Sequence, residues 1–232
     1  MSRKLPAKSS SAEIATFVHN IRSRTPDSAT HRGRLLFAMD ATASRAPTWD
    51  SACRIQAEMF TQSAVPGSLD VQLAFFRGYA EFQASNWHSQ PQSLLHDMLA
   101  VGCLGGITQI EKVLEHALKE NKKHKINAIV FVGDSVEENI ERLSDLSGRL
   151  GLLGVPLFIF HEGLDSAAAS AFQQMAKLSG GAYCRFDQHS AEQLRDLLTA
   201  VAAYAVGGKT ALAQLGAKRG GLTQLLLQQL IK

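Results

Sequence analysis

From residue 34 onward, short apolar runs closed by polar turns alternate with longer stretches whose apolar residues recur every three or four positions. The first pattern fits buried or half-buried strands, the second amphipathic helices. "RLLFAMD" (34–40) is apolar until it stops on Asp40, and reads as strand one. Pro47 then sits in the first turn of a helix over 47–61, where its missing N–H costs nothing. "LDVQLAFF" (69–76) and "YAEFQAS" (79–85) are strands two and three. "PQSLLHDMLAVG" is a short helix. "LGGITQIEKVLEHALKENKKH" is a glycine-rich turn feeding a longer helix, with Ile107, Ile110, Val113, Leu114, Ala117 and Leu118 on one face. Strands four, five and six follow at 126–134, 155–160 and 182–187. Helices in "SVEENIERLSDLSGRLGLLG" and "DSAAASAFQQMAKLSGG" separate them, the second closed by Gly180-Gly181. "SAEQLRDLLTAVAAYAVGG" is the last strong helix.

Only Arg77-Gly78 separates strands two and three, too little chain for a crossover helix. Those two strands must pair as an antiparallel hairpin. Elsewhere strands alternate with helices, which implies parallel pairing with both faces covered. The expected fold is α/β: a doubly wound, mostly parallel six-stranded sheet with one antiparallel edge strand and helices on both faces. Ahead of it, Ser10 and Glu13 form a capping box for a helix to about residue 22, followed by a polar linker over 23–33. Behind it lies a tail whose end, "LTQLLLQQLIK", is a short amphipathic helix that either docks on the domain or binds a partner. The expected division is 1–32, 33–206 and 207–232.

Composition adds limits. Apolar residues make up 45% of the 232, enough for a sizeable core. Charged residues are 19%, below the usual ~25%. The net charge is +3, and the clearest basic cluster, Lys122-Lys123-His124-Lys125, ends a predicted helix. Cations there complement the helix dipole, so nucleic-acid binding is not expected. Cys53, Cys103 and Cys184 form no CxxC pair, so neither a zinc ribbon nor a disulfide framework is indicated. They read as thiols in a reducing compartment. The segment "MSRKLPAKSSSAEIATF" lacks the apolar core of a secretory signal. The longest near-apolar run, 150–160, is too short to span a bilayer. A soluble, cytoplasmic protein without membrane contact is expected.

In an open parallel sheet, ligands bind beyond the carboxyl ends of the strands. Three loops converge there: Asp40-Ala41-Thr42-Ala43-Ser44, Gly105-Gly106-Ile107-Thr108 and Gly133-Asp134-Ser135. Alternation lets residues 40, 42 and 44 point one way while the alanines point away. The loops offer two carboxylates, three to four hydroxyls and no histidine. Hard oxygen donors suit Mg²⁺ or Mn²⁺ rather than zinc. A lone Ser, Thr or Asp after a strand is ordinarily a helix cap. The weight rests on the three loops together.

Asp40-x-Thr42-x-Ser44, Thr108 and Asp134 resemble the metal-ion-dependent adhesion site of von Willebrand factor A domains, D-x-S-x-S, then Thr, then Asp. The hairpin and the late "FQQMAKLSGGAYCRFDQHSAEQLRDLL" resemble the same family, over roughly 33–204. Thr42 replaces the usual first serine, and GDS stands where many members have T/S-D-G. The resemblance implies a metal site of Asp40, Thr42, Ser44, Thr108 and Asp134 holding Mg²⁺ or Mn²⁺. With few direct anionic ligands the ion would take its sixth ligand from an Asp or Glu of a partner protein. Soluble members of this kind work beside ATPase or chaperone machinery, so a partner of that sort is implied, and no enzymatic turnover. Arg45, Trp49, His161 and Glu162 are candidate rim residues around the site. The last two also read as ordinary solvated loop residues, and Trp49 as packing. A rival reading is a haloacid dehalogenase-like phosphatase. "LLFAMDATAS" resembles its nucleophile strand, "VFVGDS" its acidic loop, and Lys125 its phosphate-binding lysine. Position 42 is Thr, however, where that chemistry needs a general acid. A third reading is a metal-independent scaffold.

Overall fold

A computed structural model describes residues 32–47, 49, 69–186 and 191–219. The predicted N-terminal helix, the linker up to residue 31, nearly all of the helix over 47–61, and "LTQLLLQQLIK" lie outside the described residues. Six strands form one sheet: β1 (Gly33–Asp40), β2 (Leu69–Arg77), β3 (Glu81–His88), β4 (Ala128–Gly133), β5 (Leu157–Glu162) and β6 (Ala182–Phe186). Between them run helices α1 (Pro91–Ala100), α2 (Ile110–Lys123), α3 (Ile140–Leu152) and α4 (Ser166–Ser179). A last helical segment, α5 (Ala191–Arg219), breaks at Gly207 and Gly208. Gly208 has φ 62° and ψ −153°, a region essentially restricted to glycine, so the double glycine lets the segment turn there.

The strand order is β3-β2-β1-β4-β5-β6, parallel except for the β2–β3 hairpin. The mostly parallel six-stranded sheet expected from the alternation is the observed one, with helices on both faces. The hairpin turn takes three residues, 78–80, rather than two. Period-two alternation divides the core. Leu35, Phe37, Met39, Val130, Val132, Phe158 and Phe160 face one side, with Leu94 and Met98 of α1 and Val201, Ala205 and Leu212 of α5. Leu36, Ala38, Ile129, Phe131 and Ile159 face the other, against Leu114 of α2, Leu146 of α3 and Phe172 of α4. β1, β4 and β5 are covered on both faces, which is why they read as continuous apolar runs. Truncating such a residue, Phe131→Ala for instance, costs about 3–5 kcal/mol. Leu212 is fully buried, so the helical segment beyond the double glycine packs on the same core.

The chain winds outward from β1 through β2 to β3, then returns to β4 on the other flank of β1. The order therefore reverses between β1 and β4, the crevice where open α/β sheets bind ligands. Met39 pairs with Val132, so Asp40 and Gly133 leave the sheet side by side and Asp134 follows at once.

Candidate metal centre

Asp40 ends β1 on the face shared by Leu36 and Ala38 and has no solvent exposure. Its Oδ1 accepts the Thr42 N–H at 2.8 Å, an Asx-type turn that folds the loop back over the strand end. Residues 40–42 are extended as alternation predicts, but Ala43–Arg45 closes into one 3-10 turn. That turn brings the Ser44 hydroxyl to 3.1 Å from the Thr42 hydroxyl. Thr42 is buried and Ser44 exposed, so the pair marks the way in from solvent. Gly133 lies beside Asp40. A Cβ there would stand 2.8 Å from the Phe131 ring and 3.4 Å from Asp40 Cβ, so the glycine lets that ring pack closely under the strand end.

The loop carrying Thr108 is pinned to both neighbours. Leu104 bridges to Thr42, donating its N–H to Ala41 O at 3.0 Å. Ile107 donates to Gly78 O at 3.2 Å, and Gln109 Nε2 donates to the carbonyls of Arg77 and Gly78. A Cβ on Gly106 would fall 2.0 Å from Gly78 O, so only glycine allows this approach. The β2–β3 turn thus braces the Thr108 loop. Thr108 itself bonds to Glu137 and Glu138, in the loop that follows Asp134.

Two atoms stand out: Asp40 Oδ2 and Asp134 Oδ1 are buried and accept no hydrogen bond among the described residues. A buried carboxylate oxygen without a partner is costly. Burial lifts the Asp40 pKa from 3.8 to about 6, Thr42 and Arg45 oppose the rise, and Asp134 adds to it. Two orphaned acid oxygens and a hydroxyl pair fit a divalent cation with oxygen ligands. Among the described residues no three His, Cys, Asp or Glu side chains cluster to hold a metal, so any site here depends on the hydroxyls.

Arg45, Trp49, His161 and Glu162 do not form a solvent-facing rim. All four are buried, and His161 and Glu162 belong to β5 rather than to a solvated loop. Arg45 donates from Nη1 to Asp40 O at 2.7 Å, and from Nε and Nη2 to Glu162 Oε2 at 3.0 and 2.8 Å. Its guanidinium lies 5.5 Å from the Trp49 ring centre, and Trp49 Nε1 donates to Val101 O. The guanidinium therefore clamps the first loop to β5 from below. His161 Nε2 is 3.3 Å from Asp134 O, which can only accept, so the Nε2 tautomer carries the proton. Nδ1 then accepts from the Tyr183 hydroxyl at 2.9 Å. Burial lowers the His161 pKa, and the ring's bond to Asp134 O orients the Asp134 backbone. Lys125 precedes β4 and donates to Leu153 O and Gly154 O, at the sheet edge opposite Asp134. A phosphate-binding role at the site is closed to it.

Sequence reasoning missed Glu137 and Glu138. It ran a helix from residue 135, whereas α3 starts at Ile140 behind Asn139, whose side chain caps Arg142 N. The five-residue difference is the loop that lets these glutamates reach Thr108. An Asn three positions before Arg142 was the available signal.

No protein-family profile matches the chain, and no curated protein matches it. Solved structures do. The SpRpn10 VWA domain is similar with TM-score 0.56 and 13% identity, over 72% of this chain and 95% of that one. A mussel byssus protein, proximal thread matrix protein 1 with a zinc-occupied MIDAS motif, gives 0.62 and 15%, over 81% of this chain and 51% of that one. An aerotolerance-related membrane protein from Bacteroides fragilis gives 0.57 and 16%, over 72% and 98%. The chain thus spans about half of the mussel protein and nearly all of the other two. At these identities the common property is the fold. The chain has the α/β fold of von Willebrand factor A domains. No helix among the described residues is long and apolar enough to cross a membrane.

Proposed function

We propose that this chain is a metal-dependent protein-interaction module without catalytic turnover. The observation that carries the reading is the pair of orphaned buried oxygens, Asp40 Oδ2 and Asp134 Oδ1, at the strand-order reversal. Asp40, Thr42, Ser44, Thr108 and Asp134 are the residues to hold Mg²⁺ or Mn²⁺. A bound ion supplies an electrophilic position that a partner's Asp or Glu side chain fills. The chain's own part is to bury two anionic oxygens, aim hydroxyls into the same space and leave the Ser44 side open. Arg45 holds the first loop rigid through β5, and the hairpin turn holds the Thr108 loop. A mussel relative of this fold is described with a metal-occupied MIDAS motif, which supports a cation as occupant. ATPase or chaperone machinery in the cytoplasm remains the partner class drawn from the family resemblance.

The test is direct. Purified protein is titrated calorimetrically with MnCl₂ and MgCl₂, alongside Asp40→Asn and Thr108→Ala. Saturable binding to the wild type, lost in Asp40→Asn, supports the site. Immobilised protein should then retain an interactor in Mg²⁺ that EDTA and both substitutions release. Retention that ignores EDTA and both substitutions overturns the metal-dependent reading and favours a scaffold.

A further inference from the structure

The most densely bonded part of the site lies outside the predicted ligand set. Thr108 Oγ1 donates to Glu138 Oε2 and accepts the Glu137 N–H at 2.9 Å. The Thr108 N–H donates to Glu137 Oε2 at 2.7 Å. The second Glu138 oxygen, Oε1, accepts the N–H groups of Ile110 and, at 3.3 Å, Glu111, the first turn of α2. A hydroxyl has one proton and two lone pairs. The Thr108 proton is committed to Glu138 and one lone pair to Glu137 N–H. One lone pair remains, on a residue only 3% exposed.

We infer that Glu138 is a positioning residue of the cation site: by taking the Thr108 proton it leaves the remaining Oγ1 lone pair for the metal. The inference rests on the metal-dependent reading above. A hydroxyl rotates to suit its surroundings. Without Glu138 the proton is free to rotate toward the side on which a cation would bind and to block that lone pair. The carboxylate also draws on the O–H bond and makes the oxygen a better donor to a metal. Outer partners of this type control metal affinity by about 10–100-fold. Glu138 caps α2 as well, so a purely structural role is the competing account, and the two differ in what Thr108 does to the effect.

Mn²⁺ affinity is read from the EPR signal of the free aquo ion for wild type, Glu138→Gln, Thr108→Ala and the double variant. Urea stability in EDTA is measured for the same four proteins. Glutamine keeps the size but has one oxygen, so it cannot serve both the hydroxyl and α2. Glu138→Gln should weaken Mn²⁺ binding about tenfold, and should weaken it little further once Thr108 is Ala. Glu137→Gln, which leaves the hydroxyl's proton acceptor in place, should change affinity much less. Unchanged affinity in Glu138→Gln with lower urea stability overturns the inference and leaves a helix cap. An equal loss with and without the Thr108 hydroxyl also overturns it. Should Glu138→Gln not fold, Glu138→Asp keeps the charge, withdraws it by one methylene and gives the same comparison. A wild type that binds no Mn²⁺ refutes the metal reading itself, a result distinct from any difference among the variants.

Discussion

Asp40→Asn should favour the metal-free fold at neutral pH and remove its response to divalent cations. The size of the effect comes from the buried carboxylate. Asp40 is fully buried, and its pKa is pushed from 3.8 to about 6, first by lost hydration and in part by Asp134. At about 1.4 kcal/mol per pH unit, keeping it ionised in the fold costs on the order of 3 kcal/mol above pH ~7. The sign follows from linkage. A raised folded pKa gives stability that is present in full below about pH 4 and is lost as the pH rises through about 6. Asparagine is neutral throughout and keeps an oxygen for the Thr42 N–H. Burying its amide costs about 1–3 kcal/mol if it finds no acceptor, but that cost does not depend on pH. The stability difference, variant minus wild type, should therefore move by about 2–3 kcal/mol in the variant's favour between pH ~4 and ~7.5. Urea denaturation in EDTA at both pH values measures it, and groups such as His161 cancel because both proteins carry them. With Mg²⁺ at a hundredfold excess over Kd, wild type should gain about 2.7 kcal/mol and the variant nothing. A pH-independent difference refutes the burial argument, and equal gains from Mg²⁺ refute the assigned site.

If the hydroxyl of residue 42 is a ligand, Thr42→Ser retains Mn²⁺ binding and Thr42→Val loses most of it; calorimetric titration of the three proteins compares them directly. Arg45→Met should destabilise by about 3–5 kcal/mol, because it strands Glu162 as a buried unpaired anion. Adding Glu162→Gln should recover part of that loss in urea unfolding, and no recovery would show that the guanidinium acts through Asp40 O and Trp49 instead. Aryl phosphates and common phosphometabolites should not be turned over in Mg²⁺; turnover abolished by Asp40→Asn would restore the phosphatase reading.

The sheet was legible because its signal is doubly determined. Apolar runs such as Leu35–Met39 and 128–132 mark strands buried on both faces, and a two-residue gap cannot hold a crossover, so the hairpin was forced. Strand ends then place Asp40 and Asp134 at the β1–β4 crevice by topology alone. What stayed hidden depends on where a helix starts or on which distant side chain a loop meets. The extra turn assigned ahead of Ile140 erased the loop that carries Glu137 and Glu138. Arg45 and Glu162 stand 117 positions apart, and no local pattern predicts that they meet. Charge and proximity to the site suggested exposed residues facing a partner, whereas a buried guanidinium that bonds Glu162 and the Asp40 carbonyl at once is as strong a reason for Arg at that position.

The disposition of charge under the site supports a cation from outside the chain. Arg45 is the cation that interacts with Asp40, and it lies in the same loop. Its Nη1 donates to the Asp40 carbonyl and its Nε and Nη2 to Glu162, and among the described residues Asp40 Oδ2 is left without a hydrogen bond. Arg45 therefore lowers the Asp40 pKa only as a charge acting through space, too weakly to offset burial. A fold selected for stability alone would turn one N–H toward that oxygen, or carry Asn there. Local costs that the surrounding structure sustains without compensation gather at functional sites. Here the uncompensated cost is two buried acid oxygens, at the strand ends where the first loop also carries the Thr42–Ser44 hydroxyl pair. A divalent ion with oxygen ligands removes that cost.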